Sequence, residues 1–310
     1  MNLKNHRKMI LLGLLFGLSC SQLSFADHVS IKNVEKTTEK TADESVGKTT
    51  DKIVVKDLNF KTVMMALHQR DLQYVKIPVL EQQQLQYVGI QNIENAQGED
   101  ASGVLIFSPA KTYRNIQNEL RYLFTITQRA ISPYNPDELE FCGNCASLPT
   151  VYIFQKNANQ HYELLSQSQD ESGWLNLDYS YVPYPSEEII KNIKKIGPKI
   201  KGYMEEQAFS RQGYSFTKLN IVPFDENQTL SKLEVAEISN DNEVTGDERT
   251  YNTQGHYRFL KTQHDGLYDI EIQYSGTKRQ YTTESYDIVP VNETHVYHYN
   301  EKQQKYIRVK

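Results

Sequence analysis

Tryptophan occurs once, cysteine three times and proline ten times in 310 residues. No apolar run approaches the roughly twenty residues that a membrane-spanning helix needs. These scarcities exclude collagen-like, coiled-coil and small disulfide-framework classes, while the length is enough to bury a full core. An excess of positive charge is also missing. Lys plus Arg number 34 against 39 Asp plus Glu, a net charge of −5, and no basic cluster marks the folded region, so no nucleic-acid partner is expected. Nucleophile and metalloprotease signatures are absent too: the chain contains no G-x-S-x-G and no H-E-x-x-H. What the sequence has in quantity is tyrosine, 21 residues of it.

The first 26 residues read as a signal peptide. Lys4, Arg7 and Lys8 supply a positive start, Met9 to Leu18 an apolar run, and Ser24-Phe25-Ala26 the small residues that a signal peptidase reads. Cleavage after Ala26 removes three positive residues and leaves the mature chain more acidic. A second export route competes. Gly17-Leu18-Ser19-Cys20 resembles the lipobox of bacterial lipoproteins, which implies lipidation of Cys20, although glycine stands where that motif usually has leucine. Either route implies a bacterial cell envelope, periplasmic or secreted, with membrane attachment only through a lipid at Cys20. Residues 27–56 are rich in Lys, Thr, Glu and Asp and contain no aromatic residue. Such a segment cannot bury enough apolar surface to offset its ordering entropy, so it is read as a disordered tether.

Beyond the tether the pattern suggests an α+β fold: antiparallel sheets packed with two long helices, followed by an all-β C-terminal meander. The α+β region is placed at 57–239, with two β-α-β-β units at 57–168 and 169–239, and the β-rich region at 253–310. Phe60, Val63, Met64 and Leu67 predict a short helix over 59–72. Tyr113, Ile116, Leu120, Leu123, Thr127 and Ile131 step by three or four and predict a long helix opened by Ser108-Pro109. Ile189, Ile193, Ile196 and Ile200 predict a second one from Ser186, split or kinked at Gly197-Pro198. Strands are expected at 87–90, 104–107, 150–155, 161–166, 214–222 and 230–238, and residues 240–252 read as a linker. His264-Asp265-Gly266 between two apolar-alternating runs is a hairpin signal, and Ser275-Gly276-Thr277 and residues 300–303 are expected to turn as well.

Few motifs carry chemistry by themselves. Cys142-Gly143-Asn144-Cys145 is read as a structural disulfide that pins a loop. Redox activity would need a hydrophobic strand before the motif and a helix after it, and a zinc ribbon would need a second C-x-x-C. S-x-x-K occurs at Ser45, Ser108, Ser215 and Ser275. Only Ser108 falls at the start of an expected helix, where a capping serine followed by proline explains it without catalysis. His295 and His298 lie on opposite faces of an expected strand, and His264 has no partner at a recognised ligand spacing, so no metal or cofactor is expected. Trp174, Tyr179, Tyr181 and Tyr184 crowd one strand and its Pro-rich exit, a rigid amphipathic surface suited to a protein or glycan of the envelope. These features describe an exported envelope protein that binds another macromolecule without catalysis, as an inhibitor or immunity-type protein does. An envelope hydrolase with an unrecognised site and an envelope assembly or scaffold protein are the alternatives.

Overall fold

The computed structural model describes residues 52–68, 72–94, 100–140, 148–168, 185–211, 213–226, 228–242, 249–282 and 285–309. All of them belong to one unit, Thr50–Lys310, built from two antiparallel sheets.

The first sheet contains β1 (Val54–Val55), β2 (Leu72–Gln73), β3 (Gln86–Glu94), β4 (Asp100–Arg114), β5 (Leu120–Ala130), β6 (Leu148–Lys156) and β7 (Tyr162–Gln167), in the spatial order β1-β7-β6-β5-β4-β3-β2. Its helices are α1 (Phe60–His68) and α2 (Pro78–Gln82). Period two sorts the side chains. Leu105, Phe107, Phe124, Ile126, Tyr152 and Phe154 face α1, whose Val63 and Met64 complete that core. Phe124 sits at the centre, 5.3 Å from Phe107, 5.1 Å from Tyr152 and 5.4 Å from Phe154 between ring centroids. On the opposite face Val104 and Ile106 meet Ile77 and Leu80 of α2.

The second sheet is a meander in the order β15-β14-β13-β12-β11-β10-β9-β8. Its strands are β8 (Ile193–Lys195), β9 (Lys201–Arg211), β10 (Tyr214–Pro223), β11 (Leu233–Asp241), β12 (Asn252–His264), β13 (Leu267–Tyr281), β14 (Tyr286–Asn300) and β15 (Lys305–Arg308). It folds over on itself. Leu219, Ile221, Val235 and Ile238 from β10 and β11 share a core with Ile270, Ile272, Val291 and Tyr306 from β13, β14 and β15. The expected linker at 240–252 falls within this one sheet: Asn240 and Asp241 end β11 and pair with Thr253 and Asn252 of β12. The two sheets meet where Leu123, Val151 and Ile153 pack against Tyr203, Val222 and Phe224, beside Ile189 of α3 (Pro185–Lys191).

The architecture corrects the α+β reading. Among the described residues the longest α-helix has nine residues, and strands carry the fold. The long helix expected from Ser108 to Ile131 is the β4–β5 hairpin. Leu123, Phe124, Thr125 and Ile126 are all buried, because β5 is a central strand covered on both faces. Apolar residues on both parities of a strand create three- and four-residue spacings that imitate a helix, and the aromatic and β-branched content of 122–127 then decides for strand. The turn is made by Asn115, whose Oδ1 accepts from the backbone N–H of Gln117 and Glu119, and by Asn118 at φ +66°. Ser108 therefore caps no helix. It lies in β4 at a bulge before Lys111, where Pro109 costs no ladder bond, and its buried hydroxyl shares a 2.7 Å hydrogen bond with Ser186 of α3.

The second expected helix stops at Lys191 and turns into β8, and Gly197-Pro198 becomes the β8–β9 turn. The expected turn at 275–277 is interior to β13, with Gly276 at φ +106° absorbing the irregularity. The expected strands have counterparts in β3, β4, β6, β7, β10 and β11, and the hairpin at Asp265-Gly266 joins β12 to β13.

Candidate functional site

Two constellations stand out, one at each end of the long β12–β14 strands. The first is a layered set of tyrosines and arginines. β13 ends at Tyr281 and β14 starts at Tyr286, and these rings lie 6.2 Å apart in an edge-on arrangement. Arg279, two residues before Tyr281, holds its guanidinium carbon 4.9 Å from the Tyr214 ring, 4.6 Å from Tyr251 and 4.8 Å from Tyr286. Arg249 covers Tyr286 at 4.4 Å and donates to Ser285 Oγ and the Tyr286 carbonyl. Tyr251 is anchored by its hydroxyl, which donates to Asn240 Oδ1 at 2.9 Å. A guanidinium over a ring face is attracted by the ring quadrupole, about 0.5–1 kcal/mol at an exposed site. Layering several such contacts on hairpin ends fixes side chains that are usually mobile. Tyr281 is 74 % exposed and Tyr214 40 % exposed, so the layer presents aromatic area to solvent. Phe209 and Phe216 stack at 4.8 Å on the neighbouring β9–β10 hairpin.

The second constellation is at the opposite end. His264 closes β12, Asp269 lies near the start of β13 and His298 near the end of β14. His264 pairs with Leu267 across the hairpin, which puts it on the face of Asp269 two residues on. The β13–β14 register, Ile270 with Tyr297, extends by one step to set Asp269 opposite His298. His264 Nδ1 lies 2.7 Å from Asp269 Oδ1, and His298 Nε2 lies 3.6 Å from Oδ2. The two imidazoles stack with centroids 3.7 Å apart and planes within 12°. Asp269 is 1 % exposed although its two partners reach solvent.

Other polar clusters serve the fold. Arg121 bridges Glu119 and Glu226 between the sheets, and Asn115 and Arg121 hold the Glu119 carboxyl below its usual range. His295 donates toward Glu293 at 3.0 Å, and the Glu293 pKa is lowered chiefly by Lys278 and then by His295.

The site residues expected from sequence are not among those the structure describes. Trp174, Tyr179, Tyr181 and Tyr184, the pair Cys142 and Cys145, and Cys20 all lie outside the described residues. The tyrosine–arginine layer is not legible in the sequence, because its members come from four separate stretches, at 214, 249–251, 279–281 and 286, that meet only in the folded second sheet. His264, Asp269 and His298 come from three strands. The two-residue turn signal at Asp265-Gly266 suffices to place His264 and Asp269 on one face, but the register that brings in His298 is not written locally. No protein family model, no curated protein and no solved structure matches the chain.

Proposed function

We propose that this chain is an exported bacterial envelope protein that binds a protein partner without catalysis, through the tyrosine–arginine layer at the end of the second sheet. The observation that carries the reading is Tyr281, largely exposed yet backed by a fixed layer of Tyr286, Arg279 and Arg249. Tyrosine and arginine are the residue types that most often dominate binding energy at interfaces. A pre-ordered aromatic surface also loses little conformational entropy on association. The acidic balance of the chain as a whole favours long-range encounter with a cationic partner, as for an inhibitor of an exported toxin or hydrolase, while Arg249 and Arg279 at the contact itself suit carboxylates on that partner. The export reading rests on the first 26 residues. It predicts a mature chain that starts at Asp27 or at a lipidated Cys20, which intact-mass measurement of the envelope fraction reads directly. A full-length chain in the cytosol contradicts it.

The test of binding is recovery of partners from envelope extract by the mature chain, by Tyr281→Ala with Arg249→Ala, and by Tyr134→Ala as a control. Tyr134 is 96 % exposed on the first-sheet body, away from the layer. A discrete protein held by the native chain and the control, and lost from the double variant, supports the assignment. Equal recovery by all three removes the site, and recovery of glycan alone replaces a protein partner with a carbohydrate.

The assembly alternative keeps one observation. Residues 286–295 of β14 pair with β13 on one side and with no strand among the described residues on the other. Pro290, opposite Thr277, is the one residue of that stretch with no N–H to offer a further strand.

A further inference from the structure

We propose that His264, Asp269 and His298 form a binding site for a divalent transition-metal ion of the Zn2+ or Cu2+ class. One ligand atom from each residue lies within 4.8 Å of the other two. A tetrahedral ion with bonds of about 2.0–2.1 Å holds its ligand atoms about 3.3 Å apart. The present separations, 2.7 Å from His264 Nδ1 to Asp269 Oδ1 and 3.6 Å from His298 Nε2 to Oδ2, lie close to that value, and closing the set on one ion requires the stacked imidazoles, now within 12° of parallel, to turn out of their stack so that both in-plane nitrogen lone pairs converge.

Three features argue for an ion rather than for hydrogen bonding alone. Asp269 is 1 % exposed, and a carboxylate taken out of water needs compensation that a strong cation supplies best. Both neighbours are imidazoles, the ligand type that suits zinc and copper, whereas Ca2+ and Mg2+ take oxygen donors. The imidazoles also come from different strands of one rigid sheet, so the ligands are pre-positioned without the loop ordering that a flexible site has to bear. His264 is 47 % exposed on its side chain and His298 30 %, which leaves an open path for the ion and a free coordination position toward solvent. An ion held by His264 Nδ1 needs the neutral tautomer with its proton on Nε2, so the Nδ1–Oδ1 hydrogen bond is exchanged for the two bonds to the ion.

Backbone packing holds the frame. Gly266 follows the turn residue Asp265 at φ +84°, and a Cβ at Gly197 would stand 2.2 Å from the Gly266 carbonyl oxygen. The Tyr268 N–H donates to the Ile196 carbonyl at 2.8 Å, and Tyr306 donates its hydroxyl to the Tyr268 carbonyl at 3.1 Å. The β12–β13 hairpin end is thus fixed on two sides.

The experiment is a calorimetric titration of the full mature chain with Zn2+ and with Mg2+, in a background of Cys142→Ser and Cys145→Ser so that thiols contribute nothing. The expected result is one Zn2+ equivalent with sub-millimolar affinity and no Mg2+ response. His264→Gln and His298→Gln, both partly exposed, should weaken Zn2+ at least tenfold, and His161→Gln, on the first sheet, should leave it unchanged. Asp269→Asn is expected to abolish binding. Because that residue is buried, a far-ultraviolet circular dichroism spectrum of the variant accompanies the titration, and the two histidine variants decide if it does not fold. Absence of Zn2+ binding by the folded background chain, or binding that neither histidine variant alters, overturns the proposal. A purely structural hydrogen-bonded cluster predicts no Zn2+ binding, with lower melting temperatures for the histidine variants that Zn2+ does not change.

Discussion

Arg121 grips Glu226 with two prongs, Nε at 2.6 Å from Oε1 and Nη2 at 2.7 Å from Oε2, and so ties β5 of the first sheet to the chain just after β10 of the second. The guanidinium is 5 % exposed and is shared with Glu119 and buttressed by Asn115, which donates to Glu226 at 3.0 Å. Removing the Glu226 carboxylate takes away the two-pronged partner and leaves the buried guanidinium with Glu119 and the Leu120 carbonyl. Glu226→Gln is therefore expected to cost about 2–3 kcal/mol, while Arg121→Met with Glu226→Leu costs less than the sum of the single changes. Chemical denaturation of the four chains in a double-mutant cycle reads the coupling. Additivity would show that the pair does not hold the sheets together.

Phe124 contacts three other rings and has no exposed surface. Phe124→Leu should cost about 1–2 kcal/mol and Phe124→Ala about 3–5 kcal/mol, measured by urea unfolding. A helical 108–131 segment predicts no such ring cluster and a smaller loss for the alanine variant.

That segment shows what the sequence conceals. Strands β3, β6, β7 and β10 to β13 sit beside turn residues or alternate cleanly, as at Asp265-Gly266, and they can be read from the chain. The 104–107 part of β4 can be as well, but its continuation from Ser108 and the whole of β5 cannot, because a strand buried on both faces carries no alternation. The turn that separates them rests on asparagine side chains at 115 and 118 rather than on glycine or proline. The isoleucine stripe of 189–200 misleads in the same way: Ile189 belongs to α3 and packs at the sheet junction, whereas Ile196 caps the core of the second sheet. Site composition is harder still, since Asp269 and His298 are related by the β13–β14 register alone, and Arg279 meets Tyr214 although β13 and β10 do not pair.

Burial raises the pKa of Tyr113, Tyr203, Tyr274 and Tyr306 above the usual value, which is near 10 in the unfolded chain. Above about pH 10 the unfolded chain releases these protons and the folded chain keeps them. Stability is thus fully present below that pH and falls by about 1.4 kcal/mol per pH unit for each such residue as pH rises. Unfolding free energies at pH 9, 10 and 11 should show this decline, and Tyr306→Phe should flatten it by one residue's share. An unchanged slope in Tyr306→Phe would show that its hydroxyl ionises in the folded protein.

Gly197 has no room for a side chain against the Gly266 carbonyl. Gly197→Ala should cost about 1–3 kcal/mol and displace the β12–β13 hairpin end. Its Zn2+ affinity should fall although all three ligands remain. Calorimetry on the folded variant checks this, and wild-type affinity would show that the hairpin contact does not position His264 and Asp269.

A protein partner that meets the tyrosine–arginine layer comes within reach of position 281. The most direct measurement replaces Tyr281 with a photo-crosslinking residue in living cells, with the same replacement at Tyr134 for comparison. One discrete protein adduct at position 281 and none at 134 is the predicted result. No adduct at 281, or the same adducts at both positions, contradicts it.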